Sequence, residues 1–269
     1  MARPPRALIA LLLTIGLVVL LLPAGALAFP VGSCVPPEAC EGNTGSLQTN
    51  ACVGRDSCRD NSGNINKDAC HGPSACEENS GDVGIGGCVG LEVDDERVCL
   101  LNQGNVSKGG CVGNLACFDN QGAVGEGACV GGMVCQSNLG RISKHACQGT
   151  SSCFENQGTV GENSCVGPDA CIENRGNVAK NSCHGPSACE DLQGNVSAGS
   201  CNGENACQSA GSEGAIGTNA CNGNRACLNN PGPIAAGMCN GDPNPTTGLG
   251  VCEKPVCLAS PCPAARPRD

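Results

Sequence analysis

Cysteine offers the most chemistry in this sequence. The 269-residue chain holds 26 cysteines in two interleaved series. One runs Cys34, Cys52, Cys70, Cys88, Cys111, Cys129, Cys147, Cys165, Cys183, Cys201, Cys221 and Cys239. The other follows as Cys40, Cys58, Cys76, Cys99, Cys117, Cys135, Cys153, Cys171, Cys189, Cys207 and Cys227. Cysteine at this density either oxidises to disulfides that replace a hydrophobic core, or binds soft metal as thiolate. Parity favours oxidation: the C-x5-C pairs match one series to the other and leave Cys239, Cys252, Cys257 and Cys262 for two further bonds. Closing a loop of about seven residues is worth roughly 2 kcal/mol by the chain-entropy argument. Pairing within each unit is favoured, while pairing between neighbouring units fits the same spacing and stays open. Thiolate metal sites are disfavoured, because no C-x2-C, C-x-C or Cys-Cys occurs and His71, His145 and His184 are far apart in sequence.

Carboxylates form a second pattern. Two residues after the second cysteine stand Asp60, Glu78, Asp119, Glu155, Glu173 and Asp191. A stacked row of such oxygens suits calcium or a basic partner, and it equally suits a solvated corner. No G-G-x-G-x-D calcium repeat is present, so no cofactor is expected, with calcium on this column the exception left in view. Catalysis has little to stand on. His71 and His184 follow cysteines expected to be oxidised, neither Gly-x-Ser-x-Gly nor His-Glu-x-x-His occurs, and the glycines recur with the repeat rather than as a phosphate loop. The sequence is not expected to encode an enzyme.

The elements that must position these residues follow from the repeat itself. With 41 glycines, 17 prolines, three phenylalanines and no tryptophan or tyrosine, the chain cannot bury a conventional large core. The unit is C-x5-C-x11, about eleven times over. Glycine stands two residues after almost every first cysteine, and Asn-x-Gly follows the second, as in Asn120/Gly122 and Asn156/Gly158. An aliphatic comes two residues later: Leu47, Ile65, Val83, Val106, Val124, Ile142, Val160, Val178, Val196, Ile216 and Ile234. Glycine and Asn-x-Gly tolerate the positive φ of tight corners, and glycine twice per unit rules out helical repeats. The expectation is an all-β, disulfide-stapled β-solenoid of about eleven 18-residue coils with three short strands each. Stacked asparagines would hydrogen-bond from coil to coil. Asn105-Val106-Ser107 and Asn195-Val196-Ser197 match N-glycosylation acceptors, relevant in a host that glycosylates.

In general design the disulfide-stapled 18-residue coil resembles the small cysteine-rich solenoid antifreeze proteins of insects. The resemblance covers the architecture and implies, as an alternative function, a surface that organises ice or water. Their working face of Thr-x-Thr is missing here; Thr44, Thr49, Thr150, Thr159, Thr218, Thr246 and Thr247 share no column in the sequence reading.

Arg3 and Arg6, the apolar run Ala7–Leu22 and the triplet Ala26-Leu27-Ala28 predict a secretory signal peptide over 1–28. A short entry segment 29–33, the cysteine-rich array 34–241 and a Pro-rich C-terminal cap or tail 242–269 complete the expected organisation. The formal charge is −10, more acidic still without Arg3 and Arg6, which argues against nucleic acid and anionic membranes as partners. The chain is therefore expected to be secreted or at the cell surface, without membrane insertion of the mature chain. There it would be a non-catalytic structural or binding repeat protein whose partner is an unidentified protein or surface component.

Overall fold

The computed structural model describes residues 30, 32–90, 97–242 and 252. The expected signal peptide lies outside the described residues, as do Asp94, Asp95 and Glu96, Cys257 and Cys262, and the expected tail apart from Asp242 and Cys252.

An 18-residue unit this poor in bulky side chains cannot bury its own apolar residue, so each unit shields the next. Strand β1 (Cys34–Val35) pairs in parallel with β2 (Cys52–Val53), Cys34 opposite Cys52 and Val35 opposite Val53. Two series of parallel bridges carry this register onward. One joins Val53 to His71 and runs through Val89, Val112, Val130, Gln148 and Val166 to His184; the other joins Leu47 to Ile65 and continues to Ile234. Interior units bond in both directions: Val124 N–H donates to the Asn105 carbonyl and Gly125 N–H to the Ile142 carbonyl, each at 2.8 Å. Two insertions interrupt the 18-residue step, five extra residues between Cys88 and Cys99 and two near 210–214. Both leave the register intact, since Val83 bridges Val106 and Val196 bridges Ile216.

The expected third strand per unit is not what the described residues adopt. Around the second cysteine the chain turns instead, with positive φ at Met133 (54°), Cys135 (53°) and Ser137 (53°), and the same pattern recurs in other units. Extended pairing is impossible at such angles. Hydrogen bonding between units continues nonetheless, because these N–H groups point alternately backward and forward: Met133 to Asn114, Cys135 to Ser152, Ser137 to Phe118. The left-handed conformation costs on the order of 1–2 kcal/mol per non-glycine residue, which those bonds and the neighbouring disulfide offset. Besides β1 and β2, the described residues hold one 3₁₀ turn at Pro37–Cys40. The molecule is a repeat protein, with little helix and few strands among the described residues.

The core is a set of columns. The aliphatic column is buried throughout, with Val83, Val160 and Ile216 at 0% exposure. The cysteines lie beside it with the small Ala or Ser residues that precede them. Asn43, Asn61, Asn79, Asn102, Asn120, Asn138, Asn156 and Asn174 form a buried ladder on its other side. Each ladder amide from Asn61 to Asn174 donates to the previous member's Oδ1 at 2.7–2.8 Å and to the glycine carbonyl two residues ahead, as Asn120 does to Asn102 and Gly122. That glycine has no alternative: a Cβ on Gly122 would collide with the Gly140 carbonyl.

Candidate functional site

Of the two pairings the spacing allows, the structure holds the one within the unit. Cys111 bonds Cys117, Cys129 bonds Cys135 and Cys147 bonds Cys153, with Cα atoms 5.7–5.8 Å apart. Cys88 and Cys99 bond across the insertion, and Cys239 bonds Cys252. Stacking brings sulfurs of adjacent units together: those of Cys99, Cys111 and Cys117 lie within 4.8 Å of one another, as do those of Cys135, Cys147 and Cys153 and of Cys165, Cys171 and Cys183. A soft metal would use such a trio as thiolates. Here every one of these sulfurs is in a disulfide and has no thiolate charge to offer.

All six acidic candidates occupy one column at left-handed φ, from 49° at Asp191 to 54° at Asp60. Their backbone is held from the preceding unit: Glu155 N–H donates to Gln136, Glu173 to Phe154 and Asp191 to Ile172. Asp60, Glu78, Glu155 and Glu173 are exposed, Asp119 and Asp191 half-buried. The column is interrupted at Leu101 and Ser137, so its longest acidic run is Glu155, Glu173 and Asp191. Among the described residues no three carboxylates gather as metal-coordinating groups would; the structure lines them up side by side instead. Glu78 stands apart, lining a shallow groove of about 430 Å³ with Arg55, Arg59, Arg97 and Glu77. Arg59 pairs there with Glu77 and, at 3.5 Å, with Asp56.

A second charged column escaped the sequence reading. Lys108, Glu126, Lys144, Glu162 and Lys180 are equivalent, because their carbonyls accept in turn from Gly127, His145, Asn163, Asn181 and Gly199. Charge alternates along it, and Lys144 pairs with Glu126 at 3.5 Å. Aligning the units column by column would have revealed it. Two of the histidines serve the frame: the rings of His71 and His184 hydrogen-bond through Nε2 to the carbonyls of Asn50 and Asn163, at 2.9 and 2.6 Å. Thr49 and Thr218 do share a column, since their carbonyls accept from the equivalent Asp68 and Gly237, but they lie near opposite ends of the array; the two insertions hide the match in the sequence.

A disulfide-rich repeat of this kind fits an extracellular structural protein. No helix of the described residues is long and apolar enough to cross a membrane. No curated protein matches the chain. No solved structure matches it either. Over residues 24–116, 92–168, 110–197 and 168–265 the chain matches one family, in overlapping windows that span the repeats, and it belongs to that family, a domain of unknown function designated DUF7640.

Proposed function

We propose that the protein is an exported, all-β, disulfide-stapled solenoid that acts without catalysis as a structural and binding rod. Its array begins near Cys34 after a cleaved signal peptide and ends near Gly241. One observation carries the reading: each interior unit is hydrogen-bonded to both neighbours and closed by its own disulfide, so every exposed column repeats at the strand spacing of about 4.8 Å. Eleven such steps make a rod on the order of 50 Å long. Evenly spaced columns offer multivalency, in which weak contacts add up for a partner that spans several units.

The working surface in this reading is the acidic column, and the partner is a basic protein or surface component rather than a chelated ion. Carboxylates in a row, not converging on one point, suit a row of lysine or arginine side chains better than calcium, which takes six to eight oxygens. The test is titration of the oxidised protein with an oligolysine peptide and, separately, with calcium. Neutralising Asp119, Glu155, Glu173 and Asp191 together to Asn or Gln should abolish low-salt oligolysine binding while the circular dichroism spectrum is unchanged. Equal binding by the variant would overturn the acidic column as the working surface.

A further inference from the structure

Nearly all asparagines among the described residues face into the ladder, lie in turns or bond a neighbouring unit, and two of them combine a recognition motif with a free amide. Asn105 and Asn195 begin the Asn-Val-Ser triplets and occupy the same column, immediately before the buried valines Val106 and Val196. Both side chains are exposed. Their Oδ1 atoms are engaged: Asn105 accepts from Asp82 N–H at 3.0 Å, and Asn195 from Asn177 N–H at 2.9 Å. Their Nδ2 atoms have no hydrogen-bond partner among the described residues.

We propose that Asn105 and Asn195 are sites of N-linked glycosylation, an inference that rests on the reading of the chain as exported. In the transfer, the bond between sugar C1 and the phosphate oxygen of a lipid diphosphate-linked oligosaccharide breaks, its electron pair leaving with the phosphate. C1 bonds to Nδ2, which gives up one proton. The amide keeps its carbonyl oxygen as acceptor, so the contact from each Oδ1 to the preceding unit survives modification. Other positions in the array lack this combination. Asn64 is followed at the third position by Asn66 and Asn177 by Ala179, so neither has the hydroxyl. The ladder asparagines are buried and lead into x-Gly, where a glycan would separate the units. Five bridged steps, from Val106 through Val124, Ile142, Val160 and Val178 to Val196, separate the two sites. Both glycans therefore leave from one edge of the rod, on the order of 25 Å apart.

The experiment is secretion of the full chain from a glycosylating eukaryotic host, with intact mass measured before and after an amidase that releases N-linked glycans. The wild type in the medium is expected to carry two glycans, Ser107→Ala and Ser197→Ala one each, and the double variant none. These serine substitutions leave both asparagine acceptors in place, so the variants fold. Ala179→Ser, which creates the missing hydroxyl beside Asn177, is expected to add a third glycan. Secreted wild type without any glycan would overturn the proposal while leaving export standing. A chain retained in the cytosol would overturn export and the modification together.

Discussion

The units before Asn174 and those after it use the same backbone but run their unit-to-unit asparagine bonds along different columns. In the N-terminal units asparagine lies inside, from Asn43 to Asn174, while the column after the first cysteine is mostly valine and half-buried. In the C-terminal units the inner positions become Leu192 and Ala210 before asparagine returns at the buried Asn230, whose amide donates to the Cys252 carbonyl, and the outer column becomes Asn202, Asn222 and Asn240. The bridges respond. Val112 and Val130 donate their N–H to the carbonyls of Cys129 and Cys147, and this series ends at Val166 and His184. From there an asparagine Oδ1 takes over, accepting from His184, Asn202 and Asn222 at 2.9–3.1 Å. A short polar side chain beside a backbone donor competes with the backbone carbonyl, and here it wins. A ladder with one polarity must also end on an acceptor without a donor, and that atom is the buried Oδ1 of Asn174. The array tolerates one such orphan where the asparagine bonds change columns.

The largest expected effect comes from writing the C-terminal solution into the N-terminal half. Asn120→Leu removes bonds to Asn102, Gly122 and Asn138 and strands buried polar groups in two neighbouring units. We expect a loss of about 3–5 kcal/mol in amide protection around Cys111–Cys135, read by hydrogen exchange of the oxidised protein. The reverse change, Leu192→Asn, gives Asn174 Oδ1 its donor at the cost of a buried leucine, and a net change within about 1 kcal/mol is expected. Equal losses in the two variants would sink the distinction.

Next in size are the disulfides. Replacing Cys111 and Cys117 by alanine, in an interior unit where both are fully buried, should cost about 2–3 kcal/mol, from lost loop closure plus the void it leaves. The end pair Cys34 and Cys40 is partly accessible. It should therefore be the earlier of the two to be alkylated under a mild phosphine reductant, as peptide mapping would reveal; simultaneous reduction would contradict a protected interior.

Smaller again is the outer column. Asn202→Val is expected to return His184 N–H to the Cys201 carbonyl and extend the bridge series, with stability changed by no more than about 0.5 kcal/mol. A deuterium-exchange slowdown at His184 would mark the new bridge, and its absence would count against the competition argument.

The smallest effect is electrostatic and sits at an exposed corner. Asn50 donates to Asp68 at 2.9 Å, and that bond, with Lys67 beside it, holds the Asp68 carboxyl below its ordinary value of 3.8. A depressed folded-state value means that the contribution is present above the unfolded value and is lost as pH falls through the lower one. Asn50→Ala should raise the Asp68 midpoint in an NMR titration; an unmoved midpoint would assign the shift to Lys67.

Much of the architecture was legible because a repeat states its own contacts. The fixed step of the cysteines, the aliphatic column and Asn-x-Gly each predict a stack, since identical residues at one spacing are explained by identical neighbours. Three features were not legible. The second cysteine looked like part of a strand, because small residues around a buried side chain read alike in a strand and in a run of left-handed turns. The column from Lys108 to Lys180 alternates in sign, so it forms no run of one charge and stands out only when the units are superposed in register. The acidic column was visible residue by residue, but a list of positions carries no information on whether carboxylates converge or merely stand in line.

The amino-acid sequence by itself determined the repeat, its period, the columns that stack and the oxidised state that cysteine parity implies. Those properties depend on residue type and spacing along one chain. Only the tertiary structure decided that the disulfides close within units, that at most two rather than three positions per unit bridge, and where the asparagine ladder ends. It also decided that the carboxylates run in file rather than forming a cage. Each of these depends on which groups face each other across neighbouring units, and a local change such as Asn202 moves a backbone donor from a carbonyl to a side chain without disturbing the period.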